Sequence, residues 1–84
     1  MKFQEVDTGD YRIYAGAIER GVGSVFQAAV VVMRHHEGGK RVEVFRDDHV
    51  GGGYLWSCPL EALRFAIQRG QDVVMCRTGL SQRA

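Results

Sequence analysis

Alternating apolar and polar positions predict three antiparallel strands in the first part of the chain. The first spans residues 11–18, the second 25–34 and the third 41–47. The second contains Val30-Val31-Val32, whose β-branched side chains suit a strand better than a helix. Because this strand shows no polar alternation, it is expected to be the central one. One face of the first strand carries Tyr11, Ile13, Ala15 and Ala17.

A single helix is predicted after the strands. Leu60, Leu63 and Ile67 recur at helical spacing. Pro59 fits the first turn, where its missing N–H costs nothing, and Ser57 or Cys58 is expected to cap the helix. Gly70 is expected to end the helix as the residue just beyond its last turn. Tyr54 and Trp56 precede the cap and are expected to fill the core where the chain enters the helix.

These elements predict one α+β domain, a three-stranded antiparallel sheet followed by one helix packed on one of its faces (β-β-β-α). Residues 73–76 are open to interpretation as a short fourth strand. Residues 1–10 are expected to be a loosely ordered lead that ends in a turn at Thr8-Gly9-Asp10. Residues 78–84 are expected to be a flexible tail.

The dipeptide Gly38-Gly39 predicts a two-residue hairpin turn, which fixes a register between the second and third strands. In this register Arg34 lies opposite Glu43, Met33 opposite Val44 and Val32 opposite Phe45. The helix can cover only one face of so small a sheet. Val42, Val44, Val31 and Met33 are expected to face the helix. The uncovered face is then expected to be an interaction surface, apolar at its centre and charged at its rim. Its residues are Val30, Val32, Arg34, Arg41, Glu43 and Phe45, with His36 beside them.

The charge balance argues against a strongly basic nucleic-acid-binding domain, because the formal net charge is only +1. Tyr14, Phe45 and four arginines could still stack bases and hold phosphates on the same sheet. Those arginines are Arg12, Arg34, Arg41 and Arg46. Glu43, Asp47 and Asp48 are interleaved with them and would repel a phosphate backbone.

Three motifs that could carry catalysis or a cofactor are better explained structurally. His35-His36-Glu37 and Asp47-Asp48-His49 have metal-ligand side chains, but the predicted hairpin separates them by roughly 20 Å. Gly51-Gly52-Gly53 lacks the lysine and the direct entry into a helix that a phosphate loop needs. Cys58 starts a helix, but a nucleophile also needs a base within reach. No enzymatic activity, metal or cofactor is therefore predicted.

The sequence also indicates a compartment. Two cysteines, Cys58 and Cys76, do not make a disulfide framework. No signal peptide is expected from the polar first residues, and the longest apolar run, residues 28–33, is far shorter than the ~20 residues that span a bilayer. A cytoplasmic protein with reduced thiols and no membrane association is predicted.

The order strand–strand–strand–helix, with Gly52-Gly53-Tyr54 before the helix and Leu60-Glu61-Ala62-Leu63 at its start, resembles HicB-type antitoxin domains over residues 26–70. It also resembles double-stranded-RNA-binding domains without their first helix, and small β-β-β-α proteins of Gram-negative bacteria. The resemblance implies a bacterial regulator but assigns no residue a role. The leading hypothesis is a binding protein that pairs with itself or with a protein partner through the sheet. A nucleic-acid-binding or antitoxin-like regulator is the alternative.

Overall fold

The structure is a computed structural model, and it describes residues 2–21, 24–35 and 38–78. The elements are β1 (Lys2–Asp7), β2 (Tyr11–Arg20), β3 (Val25–His35), β4 (Arg41–Asp47), β5 (Leu55–Trp56) and α1 (Pro59–Thr78). The strands form one antiparallel sheet in the order β1-β2-β3-β4. The short β5 pairs with β3 along the same edge as β4. The predicted α+β class, an antiparallel sheet with a helix packed on it, is confirmed, although the sheet has more strands than expected.

The first segment of the chain is a strand and not a loose lead. Residues 2–7 pair with residues 12–17 of β2 along their whole length. The turn predicted at Thr8-Gly9-Asp10 supports this pairing: the Thr8 N–H donates to the Tyr11 carbonyl at 2.9 Å, and Gly9 has a φ of 85°. β1 is an edge strand that is exposed apart from the half-buried Val6, so it has little of the apolar signal that reveals a strand in a sequence.

The core lies between α1 and one face of the sheet. β2 contributes the predicted row Tyr11, Ile13, Ala15 and Ala17, all of them buried. β3 contributes Ala28, Val30 and Val32, and α1 contributes Ala62, Leu63, Ala66 and Val74. The register between β2 and β3 places Val32 beside Ile13 and Val30 beside Ala15, so both rows face α1.

The start of α1 is as predicted. Pro59 is its first residue, and the Cys58 carbonyl accepts the Ala62 N–H at 3.2 Å, which makes Cys58 the N-cap. Within the described residues, no helix has both the length and the apolar character required to cross a bilayer.

The end of α1 differs from the prediction. The helix runs through Gly70 and continues to Thr78, so neither the predicted stop at Gly70 nor a strand at 73–76 is present. Gly70 is buried against the sheet, and a Cβ built on it would lie 2.6 Å from Ile13 Cγ2. Glycine is therefore required for close packing on β2 and not for a change of backbone direction. Val74, one turn later, is buried in the same core.

A β-bulge separates the observed register of β3 and β4 from the predicted one. Val32 lies opposite Phe45 as predicted, but Met33 then pairs with Glu43, which leaves Val44 as the extra residue. Arg34 consequently faces Val42 instead of Glu43. The last described pair is His35 with Arg41, one residue out of the register that a two-residue turn at Gly38-Gly39 gives, so this predicted turn is wrong. Residues 36 and 37 lie outside the described residues.

Candidate interaction face of the sheet

The face of the sheet opposite α1, called the open face below, is largely apolar. Strand alternation and the observed register place on it Phe3, Tyr14, Gly16, Ile18, Ala29, Val31 and Met33. The side chains of Tyr14, Ile18, Val31 and Met33 are half-buried by their strand neighbours alone. No described helix or strand packs across this face, because α1 packs on the other one.

A shallow groove of about 220 Å³ runs along the open face between Phe3 and Arg46. Gly16 forms its floor, and the Phe3 ring lies so close above that a Cβ on Gly16 would meet its Cε1 at 3.1 Å. Phe3 is nevertheless 70% exposed. A large apolar ring held at the mouth of an apolar groove is a feature that binding surfaces share.

The Tyr14 side chain on β2 is held in place by a residue of β4. The Arg41 guanidinium donates to the Tyr14 hydroxyl at 3.1 Å, so the two side chains reach over β3 to join β4 with β2. The hydroxyl of this central aromatic residue therefore has a partner, and the ring presents its apolar surface to the outside.

Charged side chains form the rim of the open face, and most of them are already paired. At the β1 edge Arg12 contacts Glu5 at 2.7 Å and Asp7 at 3.2 Å. The hydrogen bond from Arg12 to Glu5, helped by the charge of Asp7, raises the pKa of the arginine above its ordinary value. These are exposed pairs, so they fix side-chain positions more than they stabilise the fold.

The β4 edge has a second set of ion pairs. Arg46 contacts Glu43 at 2.9 Å and Asp48 at 3.6 Å. The hydrogen bond from Arg46 to Glu43 and the Glu43 charge raise the pKa of this arginine in the same way. The side chains joined by these contacts are three arginines and four carboxylates: Arg12, Arg41, Arg46, Glu5, Asp7, Glu43 and Asp48.

The predicted interaction surface is only partly on the open face. Val30 and Val32 are 1% and 0% exposed, in the core under α1, so the expectation that they lie on the uncovered side is wrong. Phe45 lies on the α1 side as well, where the Arg69 guanidinium is 5.0 Å from its ring centroid. Arg34 extends over the Tyr11 ring of that side at 5.9 Å.

Only Arg41 and Glu43 of the six predicted residues belong to the open face. Val31 and Met33, expected in the core, are on the open face instead. The sequence of β2 contains a signal that identifies the open face. The small residues Ala15 and Ala17 allow a helix to pack closely on their side, so the larger Tyr14 and Ile18 mark the uncovered side.

The motifs with metal-ligand or nucleophilic side chains do not assemble into a site in the described part of the chain. No group of three or more His, Cys, Asp or Glu residues there could hold a metal ion, and His36 and Glu37 lie outside it. Gly51, Gly52 and Gly53 all have positive φ, and the N–H groups of the last two point to the His49 carbonyl in a tight turn. Cys58 is a half-buried free thiol at the helix start.

Comparison with protein-family models, with curated proteins and with solved structures finds no match to this chain. The resemblance to HicB-type antitoxin domains therefore stays a prediction, and the open face is the feature of the molecule that points to a function.

Proposed function

We propose that the protein is a binding module that pairs with a second copy of itself, with the two open faces packed against each other. The observation that carries this proposal is the groove on the uncovered side of the sheet, lined by Phe3, Ile18 and Val31. A sheet buried on one side by α1 and apolar on the other is one half of a sandwich, and a second sheet can complete it.

The size of the open face supports a dimer. Four strands spaced ~4.8 Å apart, with about eight residues each at ~3.3 Å per residue, cover on the order of 500 Å² per copy. Two copies then bury about 1,000 Å² in total, which reaches the lower limit for a specific interface. The exposed Phe3 ring provides the kind of aromatic anchor on which such interfaces depend.

The charges of the rim favour a copy of the same chain over nucleic acid. Arg12 and Arg46 are neutralised by carboxylates of their own chain, so two rims can approach without strong repulsion. A phosphate backbone would meet four carboxylates and would have to displace these pairs. The nucleic-acid or antitoxin-like alternative predicts salt-dependent binding to DNA or RNA, which a retention assay at low salt would detect. A cytoplasmic location, consistent with the free thiols of Cys58 and Cys76, is part of the proposal.

The substitution Val31→Asp is expected to convert a dimer into a folded monomer. Val31 lies in the middle of the open face, where pairing would bury the new carboxylate next to its symmetry mate, at a cost of several kcal/mol. Analytical ultracentrifugation over a concentration series measures the change, with the wild type expected at twice the 9.4 kDa chain mass.

Leu60→Asp is the matched control, because Leu60 is 64% exposed on α1 and lies on the other side of the sheet. This variant is expected to stay dimeric. A wild type that sediments as a monomer at every concentration would contradict the proposal, and so would equal effects of the two substitutions.

A further inference from the structure

Aromatic side chains line a second cleft, on the α1 side of the sheet where β5 meets the helix. This aromatic cleft is formed by Gly51, Tyr54, Trp56, Glu61 and Phe65 and has a volume of about 490 Å³. Clefts of this size hold small molecules. It shares no residue with the open face, so its role is independent of the proposed dimer.

The three rings of the aromatic cleft have a defined arrangement. Tyr54 meets Trp56 edge to face, with ring centroids 4.7 Å apart and an interplanar angle of 71°. Phe65 lies on another side of Trp56, at 5.1 Å and 33°. Two partly exposed rings thus form walls around one fixed ring.

Trp56 is fixed because it belongs to both the sheet and the core. It pairs with Phe26 through β5 and is only 9% exposed. Gly51 approaches the indole so closely that a Cβ would lie 3.1 Å from its Cη2, and the φ of 79° at this position also favours glycine. Tyr54 and Phe65, by contrast, remain 60% and 49% exposed, which is a large aromatic surface left in water.

The electrostatics of the aromatic cleft favour a cation. Aromatic faces carry negative potential, and Glu61 adds a full negative charge at the cleft wall. Arg64 competes for this charge: its Nη1 lies 3.4 Å from Glu61 Oε2, but the side chain is 77% exposed and can be displaced.

We propose that the aromatic cleft binds a quaternary or methylated ammonium group. Such a cation is large, weakly hydrated and covered with methyl groups, so it can lie against Tyr54, Trp56 and Phe65 without leaving polar hydrogens unsatisfied. A primary ammonium needs hydrogen-bond acceptors for each of its protons, and Glu61 is the one carboxylate among the cleft residues described here.

The test uses the full chain, choline as the probe and Trp56 as the reporter. Trp56 is the chain's single tryptophan, so a change in its fluorescence reports on the cleft itself. Choline is expected to give a saturable change with a Kd on the order of 1 mM, the range of a fragment-sized ligand. The neutral isostere 3,3-dimethylbutan-1-ol and the primary amine ethanolamine are expected to bind at least about fivefold more weakly.

Variants identify the groups responsible. Tyr54→Leu is expected to weaken choline binding about three- to fivefold, and Tyr54→Phe, which keeps the ring, to preserve it. Glu61→Gln is expected to weaken binding, whereas Arg64→Gln is expected to strengthen it by releasing the carboxylate. Circular dichroism checks that each variant is folded, and because Tyr54 and Arg64 are exposed, their variants keep the test valid if Glu61→Gln unfolds.

The proposal would be overturned by the absence of saturable binding of choline. It would also be overturned if the neutral isostere bound as tightly as choline, since the cleft would then recognise only apolar shape. Unchanged choline affinity in folded Tyr54→Leu would place the cation elsewhere.

Discussion

The substitution Val32→Asp is expected to unfold the protein. Val32 lies in β3 on the α1 side of the sheet, where it is 0% exposed and pairs with the fully buried Ile13 of β2. Burying an unpaired charge costs several kcal/mol, which approaches the total stability of about 5 kcal/mol expected for a domain of this size. Loss of the far-UV circular dichroism signal, or of dispersion in the amide NMR spectrum, would measure the effect.

Val31→Asp provides the matched comparison, since it makes the same change one residue earlier on the same strand. Val31 points to the open face, so this variant is expected to remain folded although it no longer pairs. The opposite result, with Val31→Asp unfolded and Val32→Asp folded, would mean that α1 covers the other face of the sheet.

The second large effect is expected at the contact between Ile13 and Gly70. Ile13→Ala should lower the free energy of unfolding by about 2–4 kcal/mol, because it removes buried methyl groups from the centre of the core. Gly70→Ala alone should also destabilise, by about 1–2 kcal/mol. The added Cβ would lie 2.6 Å from Ile13 Cγ2 and 3.2 Å from Val30 Cγ2, and that overlap outweighs the ~1 kcal/mol by which alanine improves a helix over glycine.

The combination of the two changes separates this explanation from a general intolerance at residue 70. With Ile13 reduced to alanine, the methyl group that Gly70→Ala adds enters the space that the isoleucine leaves, so this second substitution should become neutral or stabilising. Urea denaturation of the wild type, both single variants and the double variant gives the coupling energy. Additive effects of the two substitutions would contradict the proposed contact.

The strands with clear periodicity could be predicted from the sequence, and the remaining elements could not for identifiable reasons. β2, β3 and β4 show the apolar runs or alternation that burial of a strand produces. β1 is almost entirely exposed, so its strand character depends on pairing with β2 and leaves no pattern in its own residues.

The C-terminal end of α1 could not be predicted from the sequence for a different reason. Gly70 looks like a stop signal because glycine is common after a last helical turn. In the structure its small size matters and its freedom of φ does not, since Ile13 occupies the space where a side chain would be. Local sequence cannot distinguish these two uses of glycine, because the second depends on a residue nearly sixty positions away.

The side of the sheet that carries the candidate site could not be predicted from the sequence of β3 alone. The sequence predicted an interaction surface on the sheet because one helix can cover only one of its faces. Which face stays uncovered depends on which valines α1 packs against. Val30 and Val32 are indistinguishable from Val31 in composition, and only their pairing with Ala15 and Ile13 on the helix side assigns them to the core. Tyr54 and Trp56 were expected to fill the core together, yet only Trp56 is buried, and Tyr54 is exposed.

The bulge at Val44 determines which side chains of β4 share the open face. In a regular strand two residues three apart point to opposite faces, so Glu43 and Arg46 could not meet. The extra residue places both on the open face and allows their 2.9 Å contact. An in-frame deletion of the Val44 codon would remove the bulge and leave Glu43 and Arg46 two positions apart, so both side chains would still point to the open face. Chains related to this one should therefore be able to lose Val44 and keep the ion pair between Glu43 and Arg46.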